Sequence, residues 1–97
     1  MGLENFTNKV ERALINHYGE EVQVKSQKVI KNNGVLLYGI CVIKKNRNIA
    51  PTIYLNEFYD LYENGMTFGE ILEKIIEVTE QYQVSKVTQL QVLQNRL

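Results

Sequence analysis

Cysteine, histidine, proline and tryptophan are nearly absent from this sequence, which contains one Cys, one His, one Pro and no Trp in 97 residues. The lone Cys41 excludes an internal disulfide and a zinc site built from several cysteines. Long apolar runs are also missing, because the longest, Val35 to Tyr38 and Ile40 to Ile43, are far shorter than the roughly 20 residues that cross a bilayer. The sequence therefore excludes a disulfide scaffold and predicts no membrane contact.

The remaining composition is that of an ordinary globular domain. Apolar residues make up 44% and charged residues 23% of the chain, and 11 basic residues balance 11 acidic ones. The chain as a whole is therefore neither disordered nor a polycation. The N-terminus lacks the basic and apolar regions of a signal peptide. We expect one cytoplasmic domain, residues 1–97, with a core of modest size.

Catalytic residue types occur, but in no pattern that predicts chemistry. His17 is the only candidate histidine base, and its position near the end of a predicted helix is typical of a residue that favours the helix dipole. Cys41 lies in the most apolar segment, where a thiol normally packs as a small core residue. The glycines form no phosphate-binding loop and the acids form no calcium loop. We predict a non-enzymatic protein with no metal and no cofactor.

Periodicity predicts an α+β fold, a three-stranded antiparallel meander packed against helices in the order α-β-β-β-α-α. Apolar residues at helical spacing indicate a first helix over residues 3–18. Alternation from Val22 indicates a strand, and the turn Asn32-Asn33-Gly34 leads to a second strand. The near-continuous hydrophobicity of that strand is typical of a central strand covered on both faces. Pro51 has no N–H for a sheet ladder, so the third strand is expected at an edge or broken there.

The second half of the chain is predicted to be helical. Asn56 is the expected N-cap of a short helix over residues 57–63. The segment Thr67-Phe68-Gly69-Glu70 matches a capping box that opens a longer helix. Residues 84–97 are predicted to form a C-terminal helix, with a tail as the alternative. The apolar face of the longer helix is expected to bury Ile71, Leu72, Ile75, Val78 or Thr79, and Tyr82.

Tyrosine is unusually frequent, with six residues, and Tyr54, Tyr59 and Tyr62 lie close to Phe58 in sequence. On a helix, Phe58, Leu61 and Tyr62 share one face, which leaves Tyr59 nearer solvent beside acidic residues. An exposed tyrosine of this kind is a fair anchor for a protein partner. Packing in the core is the alternative.

Charge is segregated along the chain despite the net balance. Six cations and no acid occur between Val22 and Asn56, whereas seven acids and one cation occur between Glu57 and Glu80. Acids of the longer helix recur at spacings of three and four residues, which places them on one side of it. A solvated helix face that aids solubility is one interpretation. The other is a partner-binding acidic face composed of Asp60, Glu63, Glu70, Glu73, Glu77 and Glu80, with Tyr59 beside them.

The cations of the sheet half predict a different surface. Lys31 lies beside the hairpin turn, and Lys44, Lys45 and Arg47 lie at the end of the second strand. Such residues typically protect strand edges from pairing with other chains. The sharper interpretation is a patch that contacts the phosphates of nucleic acid.

Three segments carry a resemblance to a known family. Asn32-Asn33-Gly34, the run Asn48-Ile49-Ala50-Pro51-Thr52-Ile53-Tyr54-Leu55-Asn56 and Tyr62-Glu63-Asn64-Gly65 resemble a family of uncharacterised Firmicutes proteins found in gut bacteria and on conjugative elements. The match covers roughly residues 5–82, and the chain is similar to the N-terminal module of longer members. The resemblance implies no catalytic residues.

A second resemblance is one of type. A short, acid-striped protein of phage or mobile-element origin is similar to the anti-CRISPR proteins, which inhibit effectors such as Cas9. That resemblance implies an inhibitor whose acidic face mimics phosphates and occupies the nucleic-acid-binding surface of Cas9 or of its guide-RNA complex. The alternative is a small nucleic-acid-binding accessory protein that uses the cations of the sheet half. A third hypothesis is an oligomerising module that acts through residues 84–97.

Overall fold

Three helices and three strands make up the part of the chain that the computed structural model describes, residues 2–45 and 50–95, with side chains described as far as Gln81. A 3-10 turn, Gly19–Glu21, joins the first helix to the first strand. The α+β fold and the predicted order of elements are confirmed, and residues 84–95 continue the last helix. The elements in chain order are α1 (Leu3–Tyr18), β1 (Val22–Ile30), β2 (Leu36–Lys44), β3 (Thr52–Tyr54), α2 (Asn56–Glu63) and α3 (Phe68–Asn95).

The strands form an antiparallel sheet in the order β1-β2-β3, with β2 in the centre. The predicted hairpin turn joins β1 to β2. Gly34 has a φ of +83° there, a backbone region that glycine adopts at little cost, and its N–H donates to the Lys31 carbonyl at 2.9 Å. β3 is three residues long and begins directly after Pro51. The expected edge position of the third strand is therefore confirmed.

The core lies between one face of the sheet and the three helices. Thr79 belongs to it, and its hydroxyl donates to the Ile75 carbonyl at 2.8 Å, which satisfies a polar group that is costly to bury alone. Val78 is 42% exposed, so Thr79 and not Val78 faces the core. The expected burial of Tyr82 lies outside the described side chains. The buried apolar side chains among the described residues are Phe6, Val10, Leu14, Ile40, Val42, Ile53, Leu55, Ile71 and Ile75.

Within the described residues, no helix lies on the opposite face of the sheet. The helices pack on the face that carries Ile40 and Val42, whereas the alternate β2 side chains Leu37, Cys41 and Ile43 are half-buried. The prediction that β2 is covered on both faces is therefore wrong. The outer side chains are instead shielded by their neighbours on adjacent strands, which interact across the pleated surface.

α2 turns a different face to the core from the one that its sequence predicts. Phe58, Tyr59 and Tyr62 pack against the core, and the rings of the two tyrosines lie 5.3 and 5.5 Å from the ring of Phe6. Leu61 is 40% exposed, so its expected place on the buried face is wrong. The buried face of α2 is set by a contact with α1, because the ring of Phe6 packs favourably against aromatic rings at this distance.

Asn56 binds the sheet and does not cap α2. It is the first residue of α2, and no side-chain cap bond is present at that end. Its Oδ1 accepts from the Tyr38 N–H at 3.0 Å, and its Nδ2 donates to the Leu36 carbonyl at 2.9 Å. These bonds continue the ladder after the backbone bond from the Leu55 N–H to the Tyr38 carbonyl, at 2.8 Å. The predicted cap is wrong because the Asn56 side chain is hydrogen-bonded to two backbone groups of β2 instead.

Candidate functional site

The outward side of α3 carries three exposed acidic side chains. Thr67 fixes the start of the helix, since its hydroxyl accepts from the Glu70 N–H at 3.2 Å, one of the two bonds of the predicted capping box. The buried residues of α3 turn to the core, and Glu70, Glu73 and Glu77 lie exposed on the other side. We call these three residues the acidic face of α3.

No described cation pairs with the acidic face of α3. Lys74 lies on the same helix without an ion pair to it, and the Gln81 amide donates to Glu77 Oε1 at 3.2 Å. Like charges three or four residues apart destabilise a helix by roughly 0.2–0.5 kcal/mol per pair. The acidic face is therefore a concentrated negative surface that a cationic partner would stabilise.

Glu80 lies apart from the acidic face of α3, although it continues the same spacing in sequence. Its carboxylate accepts from the Lys44 ammonium at 2.7 and 2.9 Å and from the Tyr18 hydroxyl at 2.7 Å. We call Tyr18, Lys44 and Glu80 the Tyr18 cluster. Burial of the phenol, followed by its bond to Glu80, raises the pKa of Tyr18 well above its ordinary value. The structure thus assigns Glu80 to a contact within the fold.

Tyr59 and two acids lie together on α2. Asp60 and Glu63 are exposed, and Tyr59 is half-buried against Phe6. A hydrogen bond to Glu63, followed by partial burial, raises the pKa of the Tyr59 hydroxyl. The ring therefore packs in the core, as the alternative interpretation predicts, and the hydroxyl binds an acid at the surface.

The predicted cations are spread over both ends of the sheet. Lys31 follows the last residue of β1, whereas Lys44 lies opposite the first residue, roughly 30 Å away at about 3.4 Å per residue. Lys44 is held by Glu80, and Lys45 is exposed beside it. Arg47 lies outside the described residues. The structure therefore does not bring Lys31 and Lys44 into one patch.

The residues considered for catalysis lie on different surfaces. His17 is exposed at the end of α1, with its ring 4.8 Å from that of Tyr18. Cys41 is half-buried on the outer face of the sheet, with its Sγ 3.2 Å from Thr52 Oγ1. No group of three His, Cys, Asp or Glu side chains among the described residues is placed to hold a metal ion. Among the same residues, no helix has the length and apolar character of a membrane span.

Polar contacts on the outer face of the sheet were missed by sequence reasoning. Gln27 Nε2 donates to Thr52 Oγ1 at 2.8 Å, although Gly39 of β2 lies between their strands, opposite Gln27. A Cβ at position 39 would lie 2.5 Å from Thr52 Cγ2, so glycine permits this bridge. Gly39 was the one sequence signal of these contacts, because a glycine inside an apolar strand often marks a place where a neighbouring group approaches the backbone closely.

Comparison with known proteins places the chain in a family. No curated protein and no solved structure matches it significantly. Residues 3–96 match the model of DUF5688, a family of unknown function. Because that match spans nearly the whole chain, the protein belongs to the DUF5688 family.

Proposed function

We propose that this protein is a non-enzymatic inhibitor that binds a partner protein through the acidic face of α3, with Asp60 and Glu63 contributing from α2. The partner is a Cas9-type effector or its guide-RNA complex. The observation that carries the proposal is a set of three exposed carboxylates on one side of one helix, with no described cation paired to them. Glu80, in contrast, already pairs with Lys44.

We infer that the acidic face of α3 mimics a short length of nucleic-acid backbone. Glu70 and Glu77 are separated by about 10 Å along the helix axis, at 1.5 Å per residue. Cas9-type effectors hold guide RNA and target DNA in a positively charged channel through backbone contacts. Carboxylates bind the same arginine and lysine side chains through charge-assisted hydrogen bonds. A helix that presents them would compete with nucleic acid for the channel.

Nucleic-acid binding by the cations receives less support. Lys31 and Lys44 lie at opposite ends of the sheet, and Lys44 is paired with Glu80. A gel shift of the purified protein with RNA or DNA tests this alternative. Binding that weakens steeply as salt rises would favour it over the inhibitor.

The decisive experiment is a Cas9 cleavage assay in which the protein is added either before or after the guide RNA. Competition for the guide channel predicts inhibition when the protein is added first and little inhibition when the guide is already bound. The absence of inhibition in both orders contradicts the proposal for the effector that is assayed.

The double variant Glu73→Lys, Glu77→Lys tests whether the acidic face of α3 is the surface that binds the effector. We expect the concentration for half-inhibition to rise about tenfold or more, because attraction to a cationic channel becomes repulsion. The matched control is Glu20→Lys, Glu21→Lys, which makes the same charge change at exposed positions outside α3. Circular dichroism of both variants verifies the fold. Equal inhibition by the two variants would contradict a specific role for the acidic face.

A further inference from the structure

One edge of the sheet is a long strand that has no neighbour on its outer side among the described residues. β1 occupies that edge, and it pairs with β2 over nine consecutive residues without a bulge. The strand at the other edge, β3, is three residues long. An unpaired edge presents a row of backbone N–H and C=O groups to which another strand can bond.

Two backbone hydrogen bonds identify the groups of β1 that face outward. The Lys31 N–H donates to the Val35 carbonyl at 2.9 Å, and the Lys45 N–H donates to the Glu21 carbonyl at 3.2 Å. Backbone groups of successive residues point to alternate sides of an antiparallel strand, so the odd-numbered residues of β1 bond to β2. The outward groups therefore belong to the even-numbered residues Val22, Val24, Ser26, Lys28 and Ile30.

We propose that β1 pairs antiparallel with β1 of a second copy of this chain, around a two-fold axis at Ser26. Two three-stranded sheets then form one six-stranded sheet, with the helices of both copies on the same face. Each contact occurs twice, as in any interface formed by the same surface on both subunits.

The outward groups determine this register. An axis at Ser26 sets each outward residue opposite another outward residue, so every outward N–H and C=O of β1 gains a partner. Val22 lies opposite Ile30 of the second copy, and Val24 lies opposite Lys28. Ile30 is 70% exposed in the single chain, and it thereby gains an apolar neighbour at the end of the ladder.

Charge selects the same register. With the axis at Ser26, Lys25 lies opposite Gln27 of the second copy, and no two cations of β1 face each other. Sliding one strand by two residues moves the axis to Lys25 and sets two lysines directly opposite, which is unfavourable. Sliding it the other way moves the axis to Gln27 and leaves the outward groups of Val22 without a partner. The strand is thus self-complementary in one register, which identifies a second copy as its occupant.

The proposed dimer and the proposed inhibitor use different parts of the molecule. β1 forms the free edge of the sheet, whereas the acidic face lies on α3. Variants in β1 test dimerisation through the molecular mass in solution, and variants in α3 test inhibition through the Cas9 cleavage assay. Either proposal can therefore fail without the other.

Sedimentation equilibrium of the whole chain tests the dimer. We expect a reversible dimer whose dissociation constant rises about tenfold or more in Ser26→Pro, because proline removes an outward N–H at the axis. The matched control Ser26→Ala keeps the backbone group and stays dimeric. Circular dichroism verifies that both variants remain folded. A wild-type monomer at all concentrations, or a Ser26→Pro variant as dimeric as wild type, overturns the proposal.

Disulfide trapping in a Cys41→Ala background tests the register. Opposite residues of a hydrogen-bonded antiparallel pair have Cα atoms about 5.5 Å apart, within the range of about 4.4–6.8 Å that a disulfide spans. Ser26→Cys is therefore expected to form a covalent dimer under mild oxidation. Lys25→Cys, also at an exposed position, is offset from its counterpart by two residues and is expected to form none. The reverse result, or no crosslink in either variant, overturns the register.

Discussion

Asn56 closes the corner at which the sheet passes into α2. β3 ends at Tyr54, so beyond Leu55 no further strand of the described residues bonds with this side of β2. The Asn56 side-chain amide takes that place with one acceptor and one donor, bonded to Tyr38 and Leu36. Asn56 therefore has a structural role at this corner that needs no ligand.

Replacement of Asn56 by alanine is expected to lower the free energy of unfolding by about 1–3 kcal/mol. The variant leaves the Tyr38 N–H and the Leu36 carbonyl without a protein partner, and unsatisfied part-buried groups cost about this much. Urea denaturation measures the change. The control is Asn64→Ala, whose amide donates to the Asp60 carbonyl at an exposed helix end and should cost about 0.5 kcal/mol or less. Equal losses in the two variants would contradict this role for Asn56.

β2 and β3 approach each other closely where β2 has no side chain. Gly39 leaves room for Thr52, whose hydroxyl accepts from Gln27 of β1 at 2.8 Å and lies 3.2 Å from the sulfur of Cys41. Side chains of all three strands therefore meet above one glycine. The outer face of the sheet is held together by these contacts within a single layer.

A double-mutant cycle at positions 39 and 52 tests this close approach. Gly39→Ala is expected to destabilise the protein by about 1–3 kcal/mol, as overpacking does, because the new Cβ would lie 2.5 Å from Thr52 Cγ2. Thr52→Ser removes that methyl group and keeps the hydroxyl. Thermal or urea unfolding should therefore show a smaller cost for Gly39→Ala in the Thr52→Ser background. An unchanged cost would show that Thr52 is not the obstacle.

Signals within a few residues predicted most of the secondary structure. The hairpin turn at Asn32-Asn33-Gly34, the edge position or break expected from Pro51 and the cap at Thr67 each depend on local backbone chemistry. The roles of Asn56 and Leu61 depend on contacts with β2 and α1 that are distant in sequence. Local pattern carries no information about such partners, so these two predictions were wrong.

The same distinction applies to the candidate site. The exposure of Glu70, Glu73 and Glu77 follows from helical spacing relative to the buried face of α3. Glu80 has the same spacing, but its Lys44 partner lies 36 residues away in sequence. Helical spacing alone therefore could not predict that Glu80 lies apart from the acidic face of α3.

The Tyr18 cluster joins three elements of the molecule at one end of the sheet. Tyr18 ends α1, Lys44 ends β2 and Glu80 lies on α3. The Lys44 ammonium also lies 5.4 Å from the centroid of the Tyr18 ring, within the range of a cation–π contact. The opposite charges of the sheet half and the helical half thus meet at this point.

Stability is expected to fall at alkaline pH through Tyr18. Its pKa is raised in the folded state, so the folded chain holds the phenol proton more tightly than the unfolded chain. The associated stability is fully present below the ordinary tyrosine pKa of about 10 and is lost as pH rises above it. Urea denaturation across this range should show a shallower loss in Tyr18→Phe than in wild type. The pKa of Tyr59 is also raised, so some slope should remain, and equal slopes would contradict the assignment.

The aromatic partners of Phe6 are all synthesised long after Phe6 itself, so its part of the core cannot form early in translation. Its ring packs against Tyr59, Tyr62 and Phe68, and Phe68 follows it by 62 residues. At about 5–20 residues per second, roughly 3–12 seconds separate the synthesis of Phe6 from that of Phe68. During that time the apolar side of the first helix has no complete core to enter. Apolar surface that is transiently exposed in this way is prone to aggregation.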